Sequence, residues 1–166
     1  GDLTQSRHIG LLATTGTIKS ESYLLEIQKL FPDISVAGEA CPMWVPLVEN
    51  NEYHSKGADY FVQKHIQQLL DKDNQIDTII LGCTHYPLLI EKIKEFTPSH
   101  IRIVAQGEYV AQSLQDYFKR HPEMDNRCTK EGTCRFLTTE SETKFEESAS
   151  IFLQQEDIHV ERIILE

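Results

Sequence analysis

Apolar runs and apolar helical stripes alternate along the chain. HIGLLAT, His8 to Thr14, is a short apolar run that predicts a buried strand, and TGT then turns the chain. Tyr23, Leu24, Ile27, Leu30 and Phe31 recur at helical spacing within KSESYLLEIQKLF. DISVAGEA predicts a second strand, ending at Cys41–Pro42, and the proline-broken WVPLVENN is too short for a long element. KGADYFVQKHIQQLLDK places Tyr60, Phe61, His65, Ile66, Leu69 and Leu70 on one helical stripe. IDTIILG, Ile76 to Gly82, is nearly all apolar, as a parallel strand covered on both faces requires. PLLIEKIKEF opens with Pro87 at a first helical position. IRIV predicts a fourth strand and EYVAQSLQDYFKRH a helix, and TCRFLTT, ETKFEESASIFLQQ and HVERIILE predict strand, helix and strand. The stretch from Pro122 to Gly132 is polar and unpatterned and predicts a surface loop. Such alternation predicts an α/β fold with a mostly parallel sheet and flanking helices.

Composition changes this picture in three ways. Hydrophobic residues make up 40% of the 166, enough for a core. No window approaches the apolar length that spans a bilayer, and the opening GDLTQSRHIG is too polar for a signal peptide. The net charge of −10 argues against nucleic acid, which needs a basic face, but leaves room for a small anion held at a local site. With no sign of secretion, Cys41, Cys83, Cys128 and Cys134 are read as reduced thiols of a cytoplasmic protein. The chain opens without Met and is read as a piece of a longer protein.

Two strand-to-helix turns carry the polar chemistry, at the strand ends where open α/β sheets bind ligands. ATTGTIKS offers the hydroxyls of Thr14, Thr15, Thr17 and Ser20, which suit a bound carboxylate and equally serve as helix caps. It lacks the glycine and lysine spacing of a nucleotide-binding loop. LGCTHYPLL sets Cys83 and His85 two positions apart, close enough for the imidazole to share a proton with the thiol or with a ligand. That pairing suits nucleophilic chemistry or proton transfer. The spacings of Cys83 and His85, and of Cys128 and Cys134, fall outside the usual zinc patterns, so no metal is expected. Cys41 reads as a buried structural cysteine and His65 as a packing residue. Glu49 is either a solvated helix residue or a carboxylate orienting a site group. His8, His54, His100, His121 and His159 show no partner pattern and read as surface residues.

IGLLATTGTIKSESY, ACPMWVPLVE and DTIILGCTHYPLL, in that order, resemble the glutamate racemase family, and CRFLTTESETKFEESASIFL resembles its tail. The resemblance covers nearly the whole chain and implies the latter three-fifths of an enzyme that interconverts L- and D-glutamate for peptidoglycan synthesis without a cofactor. Two cysteines then face opposite sides of the substrate Cα, and Cys83 matches the second of them. Thr84 and His85 match substrate-contacting positions, with His85 also assisting its cysteine; Thr14 and Thr17 match hydroxyl positions near the bound amino acid. Glu49 matches a supporting carboxylate. The resemblance assigns residues 1–104 to the second of two α/β domains and 105–166 to a segment returning to the first. The family's first cysteine motif, ACNTA-like, and an acidic DSG-like turn near the N-terminus do not occur in this chain, so a segment upstream of Gly1 is expected to supply the opposing thiol. A second departure lies at Ala105–Gln106, where many members carry an acidic DSG-like stretch. A relative acting on aspartate or another amino acid, and an amino-acid-binding domain without turnover, are the alternatives. Alone, the chain is expected to lack racemisation, to expose apolar surface after Val104 and to self-associate as a possible homo-oligomer.

Overall fold

A computed structural model describes residues 3–153 and 155–165. Contacts divide it into two compact units that meet between Ser113 and Leu114.

The first unit holds β1 (His8–Ala13), α1 (Thr15–Ser20), α2 (Ser22–Leu30), β2 (Ser35–Ala40), α3 (Trp44–Glu49), α4 (Lys56–Lys72), β3 (Thr78–Leu81), a 3₁₀ turn (Tyr86–Leu89), α5 (Ile90–Phe96) and β4 (Arg102–Ala105). The four strands form one parallel sheet in the order β2-β1-β3-β4. β1 and β3 are its central strands, paired from Ile9 with Thr78 to Leu12 with Leu81. Leu12, Ile79, Ile66, Leu69 and Ile93 are buried to 2% exposure or less, because the apolar stripe of α4 lies against β1 and β2 and α5 packs on α4. α4 sits so close to β1 that a Cβ at Gly10 would stand 2.7 Å from the Leu69 side chain. The buried stripe of α4 is Ala58, Val62, His65, Ile66 and Leu69; Tyr60, expected on it, is exposed.

The expected TGT turn is instead the start of α1, and the helix predicted from Lys19 is split between the end of α1 and α2. Glu21 adopts a left-handed φ of 53° and breaks the run between α1 and α2, leaving no fully buried residue in either. Leu30 and Phe31, expected on the inner stripe, are exposed.

Three polar arrangements tie the unit together. Asp77 accepts hydrogen bonds from the Thr4 hydroxyl at 2.6 Å and from the backbone N–H groups of Gln5 and Ser6 at 2.7 Å each, which fastens the start of the chain beside β3. Burial raises the Asp77 pKa, but these donors outweigh it and hold the carboxyl well below the usual range. His65, expected to pack, is buried but also meets Glu39 of β2 at 2.7 Å, and Lys72 closes on the same carboxylate at 2.6 Å. Glu39 is raised by burial and lowered by Lys72 and His65, with a net downward shift. His8, expected at the surface without a partner, is half-buried and meets Asp73 at 2.6 Å. His121 and His159 likewise have carboxylate neighbours, Glu123 at 3.1 Å and Glu146 at 3.9 Å.

α6 (Gln106–Arg120) runs across the division between the units and begins two residues earlier than its apolar stripe predicts. The second unit continues with α7 (Pro122–Asp125), β5 (Phe136–Thr138), α8 (Glu142–Leu153) and β6 (Val160–Arg162). α7 is one turn of helix inside the expected surface loop, nucleated by Pro122; Arg127 to Cys134 beyond it are exposed. β5 and β6 pair in parallel, joined by α8. Both strands are shorter than predicted, and the expected helical residue Gln154 and strand residue Glu166 lie outside the described residues.

Candidate active site

β1 and β3 are neighbours, so the turns that follow them leave the sheet side by side at its carboxyl edge, where open α/β sheets place their ligands. The Gly82 N–H still donates to the Leu12 carbonyl at 2.8 Å, which carries the pairing one residue past β3. A Cβ at Gly82 would stand 3.0 Å from Ala13 and Leu11, so the close approach of the two turns favours glycine there. Cys83 follows directly, with its side chain at the edge.

From Cys83 a line of three side chains runs away from the sheet. Its Sγ lies 3.8 Å from His85 Nδ1, and His85 Nε2 lies 3.3 Å from Glu49 Oε1 at the end of α3. One imidazole therefore spans a thiol and a carboxylate, an arrangement in which one ring nitrogen exchanges a proton with sulfur while the other is oriented by the carboxylate. The platform beneath is buried and closely packed. Tyr86, buried completely, packs edge-on against Trp44 with ring centroids 4.8 Å apart, and its hydroxyl donates to the Cys41 carbonyl at 3.3 Å. α3 thus carries Trp44 under the turn and Glu49 beside it. Burial, and next the neighbouring thiols, push the Tyr86 phenol pKa far up, so it stays a neutral donor.

A cavity of about 240 Å³ opens beside Cys83 and Thr84, walled by Leu81, Pro87, Tyr23 and Gln106. Thr84 is exposed at its rim. At the other turn Thr14 caps α1: its Oγ1 accepts the Thr17 N–H at 3.3 Å, and the two hydroxyls pair at 2.9 Å. Thr17 lines a separate cavity of about 170 Å³ with Ile18, Tyr23 and Val36. The structure thus gathers Cys83, His85 and Glu49 into one line, adds Thr84 at the same cavity, and gives Thr14 and Thr17 to each other.

The remaining thiols are unlike Cys83. Cys41 has no exposure, its Sγ donates to the Glu39 carbonyl at 3.7 Å, and burial followed by the Glu39 charge pushes its pKa far up. Cys128 and Cys134 are exposed. Among the described residues, no three His, Cys, Asp or Glu side chains gather as a metal site, and no helix is long and apolar enough to cross a membrane. Two wall residues escaped the sequence reading. Tyr23 reads as one more apolar position of a helical stripe, and Gln106 reads only as a departure from a family pattern. The Gln106 amide donates to the Tyr23 hydroxyl and, at 3.5 Å, to the Leu81 carbonyl.

A parallel α/β sheet that presents a thiol, an imidazole and a carboxylate in succession at its carboxyl edge offers the groups that acid–base or nucleophilic chemistry at sulfur uses. Known proteins narrow the class. No family model matches the chain. It is 37% identical over 165 residues to the glutamate racemase of Streptococcus agalactiae, covering 98% of this chain and 60% of that relative. It is 40% identical over 169 residues to the glutamate racemase of Enterococcus faecalis, covering 98% and 59%. The crystal structure of a glutamate racemase isoform from Bacillus anthracis superposes with a TM-score of 0.85 at 30% identity, over 99% of this chain and 60% of that one. A glutamate racemase from Francisella tularensis, solved in complex with D-glutamate, superposes with a TM-score of 0.82 at 27% identity. In sequence and fold the chain is similar to glutamate racemases, and it spans about three-fifths of the length of the curated relatives it matches.

Proposed function

We propose that this chain is the part of a glutamate racemase that supplies one of two opposed thiols. The observation carrying this reading is the Glu49–His85–Cys83 line at the sheet edge, in a chain whose relatives are named for that activity. Inverting one stereocentre needs a base on one face of Cα and an acid on the other. Cys83 is one of them. As thiolate it removes the α-proton from one enantiomer; as thiol it delivers a proton when the reaction runs the other way. His85 takes and returns the thiol proton, and Glu49 holds the ring in place. With no cofactor to spread the carbanion's charge, hydrogen-bond donors at the substrate carboxylate have to stabilise it. The hydroxyls of Thr84, Thr14 and Thr17 fill that role, so Thr14 and Thr17 exchange their mutual bond for bonds to substrate.

The opposing thiol belongs to a segment upstream in the longer protein. In that protein residues 1–104 form the second α/β domain and 105–166 return to the first. D-glutamate leaves for peptidoglycan synthesis in the cytoplasm. The test is Cys83→Ser in the longer gene product, assayed with L- and D-glutamate and with both enantiomers of aspartate. Racemisation of glutamate should fall by about 10³-fold or more, because a serine hydroxyl is far too weak an acid to replace the thiol. Retention of more than a trace of activity removes Cys83 from the reaction, and turnover of aspartate in preference to glutamate reassigns the substrate. The 166-residue chain alone should exchange the α-proton of one enantiomer for solvent deuterium without inverting it.

A further inference from the structure

Next to the cavity at Cys83 lies a second, larger groove of about 430 Å³ between α2 and α6, floored by Ile80 and Val104 and flanked by Ile27, Tyr109 and Val110. The two spaces share two wall residues, Tyr23 and Gln106. These are bonded to one another, amide to phenol hydroxyl, over a sequence separation of 83, and Gln106 is further anchored on the carbonyl of Leu81, two residues before Cys83. A hydrogen-bonded pair of side chains therefore forms the partition between a small cavity holding the thiol and an apolar groove holding none. We infer that Gln106, braced by Tyr23, is the specificity-determining wall of the site: it confines groups approaching Cys83 to the small cavity and shuts branched or ring-bearing apolar groups out of the groove behind it.

The chemistry supports this role. The groove is lined almost wholly by aliphatic and aromatic side chains, and a ring or branched alkyl group reaching it gains the transfer energy of its apolar surface. With the partition in place, that gain is out of reach from the thiol. The amide suits a wall of this kind because its one –NH2 group donates to both the Tyr23 hydroxyl and the Leu81 carbonyl, while a shorter side chain at the same position would leave both without it and join the two spaces. For a reaction at the Cα of an amino acid, the consequence is selection for a short, unbranched substrate. The inference takes from the proposed function only that Cys83 is the working thiol.

Thiol labelling of the 166-residue chain tests it without any turnover. Each cysteine is followed by mass spectrometry during reaction with iodoacetamide, which is small, and with N-benzylmaleimide, which carries a ring. The exposed Cys128 normalises each reagent, and the fully buried Cys41 reports unfolding. Gln106→Ala should accelerate benzylmaleimide at Cys83 about tenfold and iodoacetamide by less than about twofold. Tyr23→Phe keeps the ring and removes the hydrogen bond, and should move the same ratio in the same direction by a smaller factor. Equal acceleration of both reagents, or none of the larger, overturns the inference. If Gln106→Ala also exposes Cys41, Tyr23→Phe decides, and an unchanged ratio there overturns it too. Loss of racemisation in Cys83→Ser bears on the proposed reaction alone, so either idea can fail without the other.

Discussion

The two units use the same local devices on very different amounts of core. Both have parallel strands joined through helices, but the first unit stacks four strands against α4 and α5 and buries Trp44, Tyr86, Leu12, Ile66, Leu69, Ile79 and Ile93 almost completely. The second has two three-residue strands and one covering helix, and among its described residues only Ala149 and Val160 are buried. Phe145, Leu137 and Leu153 remain substantially exposed. Burial of apolar area is the main favourable term in folding, and two strands with one helix lie near the lower limit of independent stability. The comparison teaches where a precise site can be built. Cys83, His85 and Glu49 all stand on the unit with a close-packed floor, where the buried rings of Trp44 and Tyr86 lie under the turn that carries the thiol and the imidazole.

Truncation breaks the comparison most directly. Trp44→Ala empties the space against Tyr86 and His65 and should cost about 3–5 kcal/mol, lowering the denaturant midpoint of the first unit sharply. Phe145→Ala in the second unit, where the ring is 37% exposed, should cost about 1 kcal/mol. Near-equal losses in urea melts would mean that the second unit holds a better core than its burial shows.

Acid should act on the first unit through its tied carboxylates. Asp77 and Glu39 are both held below their usual pKa, so each contributes stability that is present above the unfolded value of about 4 and is lost as pH falls through that value toward the folded one. Removing the charge with Asp77→Asn should cost about 2 kcal/mol at pH 7, because the donors of Thr4, Gln5 and Ser6 lose an ionised partner, and should flatten the melt's dependence on pH below about 4. A variant whose acid limb matches the parent's would dismiss this clamp.

At the alkaline end the sign reverses. The Cys41 thiol is raised by burial, so its contribution is intact below the unfolded value of about 8.5 and declines above it, by at most about 1.4 kcal/mol for each pH unit. Stability between roughly pH 9 and 10 should therefore fall in the parent and stay flatter in Cys41→Ala, before tyrosine ionisation in the unfolded chain adds its own slope. Identical slopes in the two proteins would show that Cys41 is open to solvent.

Most of the fold was legible because its signals are local. The all-apolar IDTIILG could only be a covered strand, and Cys83 and His85 stood together in one motif. What could not be read depends on sequence-distant partners. Glu39 looks like a polar interruption in a strand until His65 and Lys72, from the far end of α4, arrive on it. Tyr23 and Gln106 are 83 residues apart and meet only when α2 and α6 flank the same strand edge. The break at Glu21 was missed because the apolar stripe of KSESYLLEIQKLF runs on without a glycine or proline to mark it, and a left-handed glutamate carries no strong sequence signal. In the second unit the apolar patterns were right in kind but overran, since a strand extends only as far as it finds a neighbour to pair with.

The smallest effect is also the one that separates local from global stability. Thr14 caps α1 by accepting the Thr17 N–H at 3.3 Å, and Ser141 caps α8 in the same way, accepting the Lys144 N–H at 3.4 Å. The two caps are chemically alike, so Thr14→Ala and Ser141→Ala should each remove about 1 kcal/mol from the helix they start. The consequence should differ because the surroundings do. α1 leaves a strand buried in a four-stranded sheet, and its loss of a cap should appear only as faster amide exchange within residues 15–20. α8 is the main cover of β5 and β6, so fraying its first turn should release amides over all three elements together. Exchange measured by mass spectrometry at pH 7 reads both, and Thr14→Ser and Ser141→Thr should restore protection, since either hydroxyl can accept the same bond. Cooperative loss in the first unit, or loss confined to the first turn of α8 in the second, would reverse the ranking of the two cores.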